Sequence, residues 1–185
     1  MQHNENYVMK KEGINMEYAN GDKGFISEFF ERTLKIIKQY DEFGFSPKDN
    51  YNATLLCNCL MGILVYPEQE YYEKIDETFL STKTRQLLVS SVKKIGVKKN
   101  SDENDIKYFF RRMRNAVSHR HVKFPKSNIK NDTSIRSICL YDDGNYKKKH
   151  NLEDYEFKLE IQIDDLKDIL IEFCNNAMKK GRATE

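Results

Sequence analysis

The sequence has no tryptophan, no cysteine pair at C-x-x-C spacing, no glycine-rich phosphate loop and no apolar run long enough to span a bilayer. The missing tryptophan, set beside abundant Lys and Asn, is compositional and carries no function. The other absences each remove a class. Cys57, Cys59, Cys139 and Cys174 are the whole thiol complement. Without paired spacing, and with three of them in apolar contexts, they read as reduced core residues of a cytoplasmic protein rather than a zinc or disulfide framework. Gly21-x-x-Gly24 has neither a preceding strand nor a following Lys-Ser/Thr, so it is no nucleotide loop. No His or carboxylate cluster has metal-ligand spacing, and neither metal nor cofactor is expected. The longest apolar stretch, Ala53 to Tyr66, is too short for a membrane span and contains Asn58. The N-terminus shows no cationic lead followed by an apolar run, so no signal peptide is expected, and no membrane association either. A large net charge is missing too: 31 Lys and Arg face 29 Asp and Glu, leaving +2. Any affinity for nucleic acid must therefore come from a local patch.

What is present suits one soluble domain, and 185 residues are enough to bury a real core. Residues 1–24 are polar without a sustained apolar period and read as a loosely ordered arm; residues 25–180 read as the domain. Phe25 to Tyr40 is amphipathic, with Ile26, Phe29, Phe30, Thr33, Ile37 and Tyr40 at helical spacing. Gly44, Ser46 and Pro47 break it. Asn52 to Val65 is apolar nearly all round and belongs in the centre of a bundle, with Gly62 admitting a close neighbour and Pro67 ending the run. Glu68 to Thr84 reads as a polar connection with a short helix around Tyr71 to Phe79. Arg85 to Val97 carries Leu87, Leu88, Val92 and Ile95 at near-helical spacing. From residue 134 the period changes to two. Ser134 to Tyr141 and Tyr155 to Ile163 alternate, separated by Asp142-Asp143-Gly144-Asn145 turn chemistry and a charged loop, which predicts an antiparallel hairpin over about 134–163. Asp164 or Asp165 then caps a last helix that buries Leu166, Ile169, Leu170, Phe173 and Ala177. The expected fold is mainly α: four to five helices with the hairpin inserted before the last.

The stretch Ser101 to Val122, SDENDIKYFFRRMRNAVSHRHV, is the one with chemistry on it. Read as a single helix at about 100° per residue, Ile106, Phe109, Phe110, Met113 and Val117 form a core stripe. Arg111, Asn115 and Ser118 lie opposite, with Arg114 and His119 on the shoulders. Asp102, Glu103 and Asp105 suit the positive end of the helix dipole. Beyond them Lys107, Arg111, Arg112, Arg114, Arg120, Lys123 and Lys126 follow with no intervening acid, up to a helix end placed before Pro125.

Arg114-Asn115-Ala116-Val117-Ser118-His119 resembles the R-x4–6-H motif of the HEPN superfamily in its form R-N-x-x-x-H. Arg112 to His119 and Arg114 to His121 also meet the looser spacing. Upstream, Thr54-Leu55-Leu56-Cys57-Asn58-Cys59-Leu60-Met61-Gly62-Ile63-Leu64-Val65-Tyr66-Pro67 is similar to the second helix of a bacterial and plasmid-borne HEPN subgroup. The resemblance implies a HEPN-like bundle and a metal-independent endoribonuclease that leaves a 2′,3′-cyclic phosphate and a 5′-hydroxyl, in a toxin or phage-defence role. It also implies a homodimer with a composite site, RNA as substrate, and an antitoxin or regulatory protein as a possible partner.

The residue types fit that chemistry. Histidine titrates near neutrality, so His119 can act as general acid or base. The guanidinium of Arg114 matches two phosphate oxygens and stays charged in the transition state. Asn115 can orient either group. Arg111, Arg112, Ser118, Arg120 and His121 are candidates for holding the strand, whereas His150 in its charged loop reads as inert. Two other readings stand beside this one: a non-catalytic HEPN module acting as a dimeric partner- or nucleotide-binding domain, and a plain helical interaction domain whose basic helix meets anionic ligands. Retention of both Arg114 and His119 favours the nuclease.

Overall fold

The computed structural model describes residues 21–43, 52–65, 75–95, 104–125, 135–143, 151 and 154–182. The first twenty residues of the expected arm, the break at 44–47, the start of the helix expected at Tyr71 and most of the loop after Asp143 lie outside them. Five helices carry the core: α1 (Gly21–Glu42), α2 (Asn52–Leu60, continued by a π-helical turn Met61–Val65), α3 (Thr82–Ser91), α4 (Asp105–Ser118) and α5 (Ile163–Arg182). Four strands, β1 (Val92–Lys94), β2 (Val122–Lys123), β3 (Ser137–Asp142) and β4 (Phe157–Gln162), form one antiparallel sheet in the order β1-β4-β3-β2.

The aromatic side chains explain how the helices meet. Phe173 of α5 is fully buried, and Phe30 of α1, Phe79 and Phe110 of α4 surround it with ring centroids at 6.1, 5.1 and 4.5 Å. One ring thus ties together α1, α4, α5 and the turn before α3. Each such contact contributes about 0.5–1.5 kcal/mol beyond area burial. Gly62 meets a neighbour from α1: a Cβ there would stand 2.3 Å from the far end of the Phe29 ring, so a larger residue would have to push that ring aside.

The predicted hairpin is present. Ile138 pairs with Ile161, Leu140 with Leu159 and Asp142 with Phe157. Phe157, Leu159 and Ile161 are buried against the helices. The last helix buries the five residues expected of it and begins at Ile163, so Asp164 and Asp165 occupy its first turn rather than its cap.

Several expectations are corrected. Residues 75–79 form a turn, not a helix: the Asp76 carboxylate accepts from the Thr78 amide at 2.9 Å, while Ile75, Phe79 and Leu80 are buried. The helix expected to run to Val97 stops at Ser91. Val92 is extended (ψ 118°) and opens β1, because the free edge of β4 gives β-branched Val92 a partner in Leu159; Ile95 is left exposed. The hairpin is also more than a hairpin, since β1 and β2 extend it on both sides.

The helix expected to run from Ser101 to Val122 is shorter as well. Asn104 caps α4, its side chain accepting from the Lys107 amide at 2.8 Å and donating to the Ile75 carbonyl at 2.9 Å. The helix ends at Ser118, with His119 as its C-cap. It is also the more enclosed helix: Tyr108, Arg112, Asn115 and Ala116 are buried along with the core stripe. The reason is β3. Ile138, Leu140 and Asp142 share one face of that strand by its two-residue period, and α4 packs against β3 on one side and the π turn of α2 on another.

Candidate active site

Asp142 ends the core-facing row of β3 beside α4. A carboxylate there would be costly if unpartnered. Its Oδ2 accepts from the Arg112 guanidinium at 2.8 Å and from the Asn115 amide at 3.2 Å, and both side chains of the ion pair are nearly inaccessible. Burial works against the charged form of Arg112, but its hydrogen bond to Asp142 prevails, and the guanidinium is held above its ordinary range. Arg112 also lies over the Tyr108 ring, 5.0 Å from its centroid. Such pairs seldom add net stability over an apolar substitute, but removing one partner strands a buried charge.

Asn115 carries this frame outward. Its Oδ1 accepts from Arg114 at 3.3 Å, while its amide donates to Asp142. Arg114, half-buried, is therefore linked through Asn115 to a fixed carboxylate–guanidinium pair. A guanidinium with a restricted position is what bidentate recognition of a phosphate needs.

After Ser118 the chain reverses. The His119 amide donates to the Asn115 carbonyl, the Arg120 amide to Val117 and the His121 amide to Ala116, at 2.9, 3.1 and 2.8 Å. The last two bonds are the paired bonds of a Schellman C-cap. The position that usually takes glycine holds Arg120 at φ 59°, at a cost of about 1–2 kcal/mol for a side-chain-bearing residue. His121 then enters the sheet side, where its carbonyl accepts from the Tyr141 amide at 3.0 Å and β2 begins. The turn brings two imidazoles together: the His119 and His121 rings lie 5.7 Å apart, inclined by 30°. His121 is in turn fixed by Tyr155, a buried residue whose hydroxyl is 3.0 Å from Nε2 and whose ring centroid is 4.5 Å from the imidazole.

The candidates named from sequence thus divide. Arg114, Asn115, Ser118, His119, Arg120 and His121 gather at the C-terminal end of α4, with Ser118, His119 and Arg120 exposed. Arg111 is half-buried one turn before Asn115, near Tyr108. Arg112 is a correction: it is buried in the frame and does not face a strand in solvent. Asn115, expected on an outward face, is buried too. Asp142 and Tyr155 were not named as site residues. Asp142 stood in what reads as turn chemistry, yet it shares the parity of Ile138 and Leu140, and a carboxylate on the core-facing row of a strand is the signal that finds it. Tyr155 looks like one more apolar position of β4, and nothing local marks its hydroxyl.

Among the described residues no group of three or more His, Cys, Asp and Glu comes together to hold a metal ion. No helix there is long and apolar enough to cross a membrane. Burial pushes the Cys59 thiol up to about 11, reinforced by Cys57, and Cys174 is likewise pushed up by burial. These thiols stay protonated at neutral pH and are poor nucleophiles.

Comparison with known protein families gives one assignment. The model of the family described as HEPN pEK499 p136 matches residues 9–183. No curated protein and no solved structure matches the chain.

Proposed function

The chain belongs to this HEPN family, and we propose that it is a metal-independent endoribonuclease acting as a homodimer. The observation that carries the reading is the convergence at the end of α4. A half-buried Arg114 is tethered through Asn115 to the Arg112–Asp142 pair, and beside it stands an exposed imidazole, His119, on a turn that also carries His121.

The chemistry asks for few groups. A base takes the proton of a ribose 2′-hydroxyl, and that oxygen attacks the adjacent phosphorus. The bond from phosphorus to the 5′-oxygen breaks as an acid protonates that oxygen. The products are a 2′,3′-cyclic phosphate and a 5′-hydroxyl. His119 serves as acid or base, since imidazole exchanges protons near neutral pH. Arg114 faces the charge that grows on the non-bridging oxygens, where a preset donor acts without reorganisation. Asn115 holds Arg114, and Arg111, Ser118, Arg120 and His121 contact the strand. At this turn one copy offers one exposed imidazole, His119, and one tethered guanidinium. Two copies meeting at the exposed end of α4 would put two of each around one phosphate.

A toxin or phage-defence role fits a nuclease of this kind, held in check by an antitoxin or regulatory protein. The test of the activity is purified protein on single-stranded RNA with EDTA present, run beside His119→Ala. Cleavage that persists in EDTA and is lost in the variant is expected. Equal cutting by both proteins would refute the assignment, and a monomer by light scattering at micromolar concentration would refute the composite site.

A further inference from the structure

Arg120 stands where the turn itself gains nothing from a side chain. Glycine makes the same Schellman turn without the steric conflict that a Cβ brings at φ 59°. Backbone strain of this kind persists where the side chain serves something other than the fold. Arg120 edges a groove of about 410 Å³ that runs between the end of α4, the start of β2 and the exposed side of α2. Val117, Val122, Met61 and Phe124 give it apolar walls, and Asn58 adds an amide. Met61 and Phe124 are 45% and 39% exposed, large apolar side chains open to solvent on the groove's walls, Phe124 five residues past His119 in the chain. No acidic residue lines it.

We propose that this groove is a subsite for one unpaired nucleobase of a single-stranded RNA, next to the phosphate handled by Arg114 and His119. The proposal rests on the ribonuclease reading for the identity of the strand, but not for its cleavage. Base recognition in single strands uses an aromatic or guanidinium plane for stacking and an amide for the base edge. Phe124, Arg120 and Asn58 supply those elements. The volume lies at the small end of the range for small-molecule sites, suited to a nucleoside-sized group. The adjacent basic run of Arg120 and Lys123 suits the polyanionic backbone that must pass the groove's mouth.

The experiment uses the full chain and a short single-stranded RNA, 2′-O-methylated throughout so that it cannot cyclise, with 2-aminopurine at one position. Wild type should bind it and quench the fluorophore by stacking. Phe124→Ala should weaken binding by about tenfold or more, the factor that follows from losing one base–aromatic stack, and should abolish the quench. Arg120→Gly should weaken binding by a similar factor while its melting temperature stays level or rises. An abasic site in place of the 2-aminopurine should weaken wild type to the level of Phe124→Ala and cost that variant nothing more. Failure of wild type to bind, wild-type affinity in both variants, or indifference to the abasic site would overturn the subsite. So would conversion of dimer to monomer by Phe124→Ala with affinity unchanged, which would give the groove to a second copy. Binding without cleavage of an unmodified strand would sink the nuclease reading and leave the subsite standing; cleavage unaffected by either variant would do the reverse.

Discussion

Arg112 and Arg114 are two residues apart on one helix, and they do opposite work. Arg112 is sealed between α4 and β3, spent on Asp142 and the Tyr108 ring. Arg114 is half-buried at the rim and donates a hydrogen bond to Asn115. The same contrast separates the inner part of the polar cluster from the turn at its end. Inside are a carboxylate, a guanidinium and an amide, the carboxylate accepting from the other two at 2.8 and 3.2 Å; outside are Ser118, His119 and Arg120, exposed and held by a strained C-cap. A polar face on a helix thus need not be a solvated face. Part of it can be a frame whose value lies in where it holds the rest.

If that division is right, substitutions in the frame should act on stability and those at the rim on chemistry. The largest effect is expected for Asp142→Ala, which leaves Arg112 buried and uncompensated. A loss of about 3–5 kcal/mol in urea unfolding is the expected outcome. The double change Arg112→Met with Asp142→Leu should recover most of that stability yet still impair RNA cleavage, because Asn115 loses its anchor. Full activity in the double variant would break the comparison.

Arg114→Ala should cost roughly 3 kcal/mol of transition-state stabilisation with little change in the unfolding midpoint. Arg114→Lys should restore little of it, since an ammonium cannot bridge two oxygens. A rise in KM alone, with kcat intact, would mean that Arg114 only binds. His119→Ala should lower the rate on the order of a hundredfold or more, again without loss of fold, as its side chain is exposed.

A change in the π turn, which packs on α4 but carries none of the polar cluster, sharpens the contrast from the other side. Gly62→Ala drives a methyl into the Phe29 ring and should destabilise by about 1–3 kcal/mol without touching the chemistry of α4.

The smallest effect expected is at Glu172. Burial raises its pKa, but hydrogen bonds from Thr84 and Ser81 outweigh burial and hold the carboxyl below its ordinary range. A depressed folded-state pKa contributes stability that is present above the unfolded value and lost as pH falls through the folded one. Glu172→Gln should therefore narrow the stability difference between neutral and acid pH, only slightly because solvent screens so exposed a carboxylate, and leave cleavage unchanged at neutral pH.

The sequence pattern was most informative where local periodicity governs. The helical stripe of α5 and the alternation leading into and along β4 reappear in the burial of their residues, as do Phe30, Thr33 and Ile37 of the α1 stripe, and Gly62 meets its neighbour. Local pattern fails where a distant partner decides. The apolar count around 52–65 marked α2 as the central helix, but α4 is the more enclosed, because Asp142, thirty residues beyond Arg112, makes burial of its polar side tolerable. Pro125, a strong local breaker, predicts a helix end just before it. The chain leaves the helix at His119 because β3 offers Val122 and Lys123 a pairing edge, and no local rule marks an arginine for φ 59°. The motif Arg114 to His119 was visible as spacing; its tether to the core was not.

One product analysis tests the central claim most directly. A single-stranded RNA is cut by the purified wild-type protein in EDTA, its ends are identified, and the same strand is repeated with one 2′-deoxy residue at the preferred cut. The account predicts 2′,3′-cyclic phosphate and 5′-hydroxyl ends, and no cut at the deoxy position, since the attacking oxygen is gone. Products with 5′-phosphate ends, or continued cutting at the deoxy residue, would contradict it.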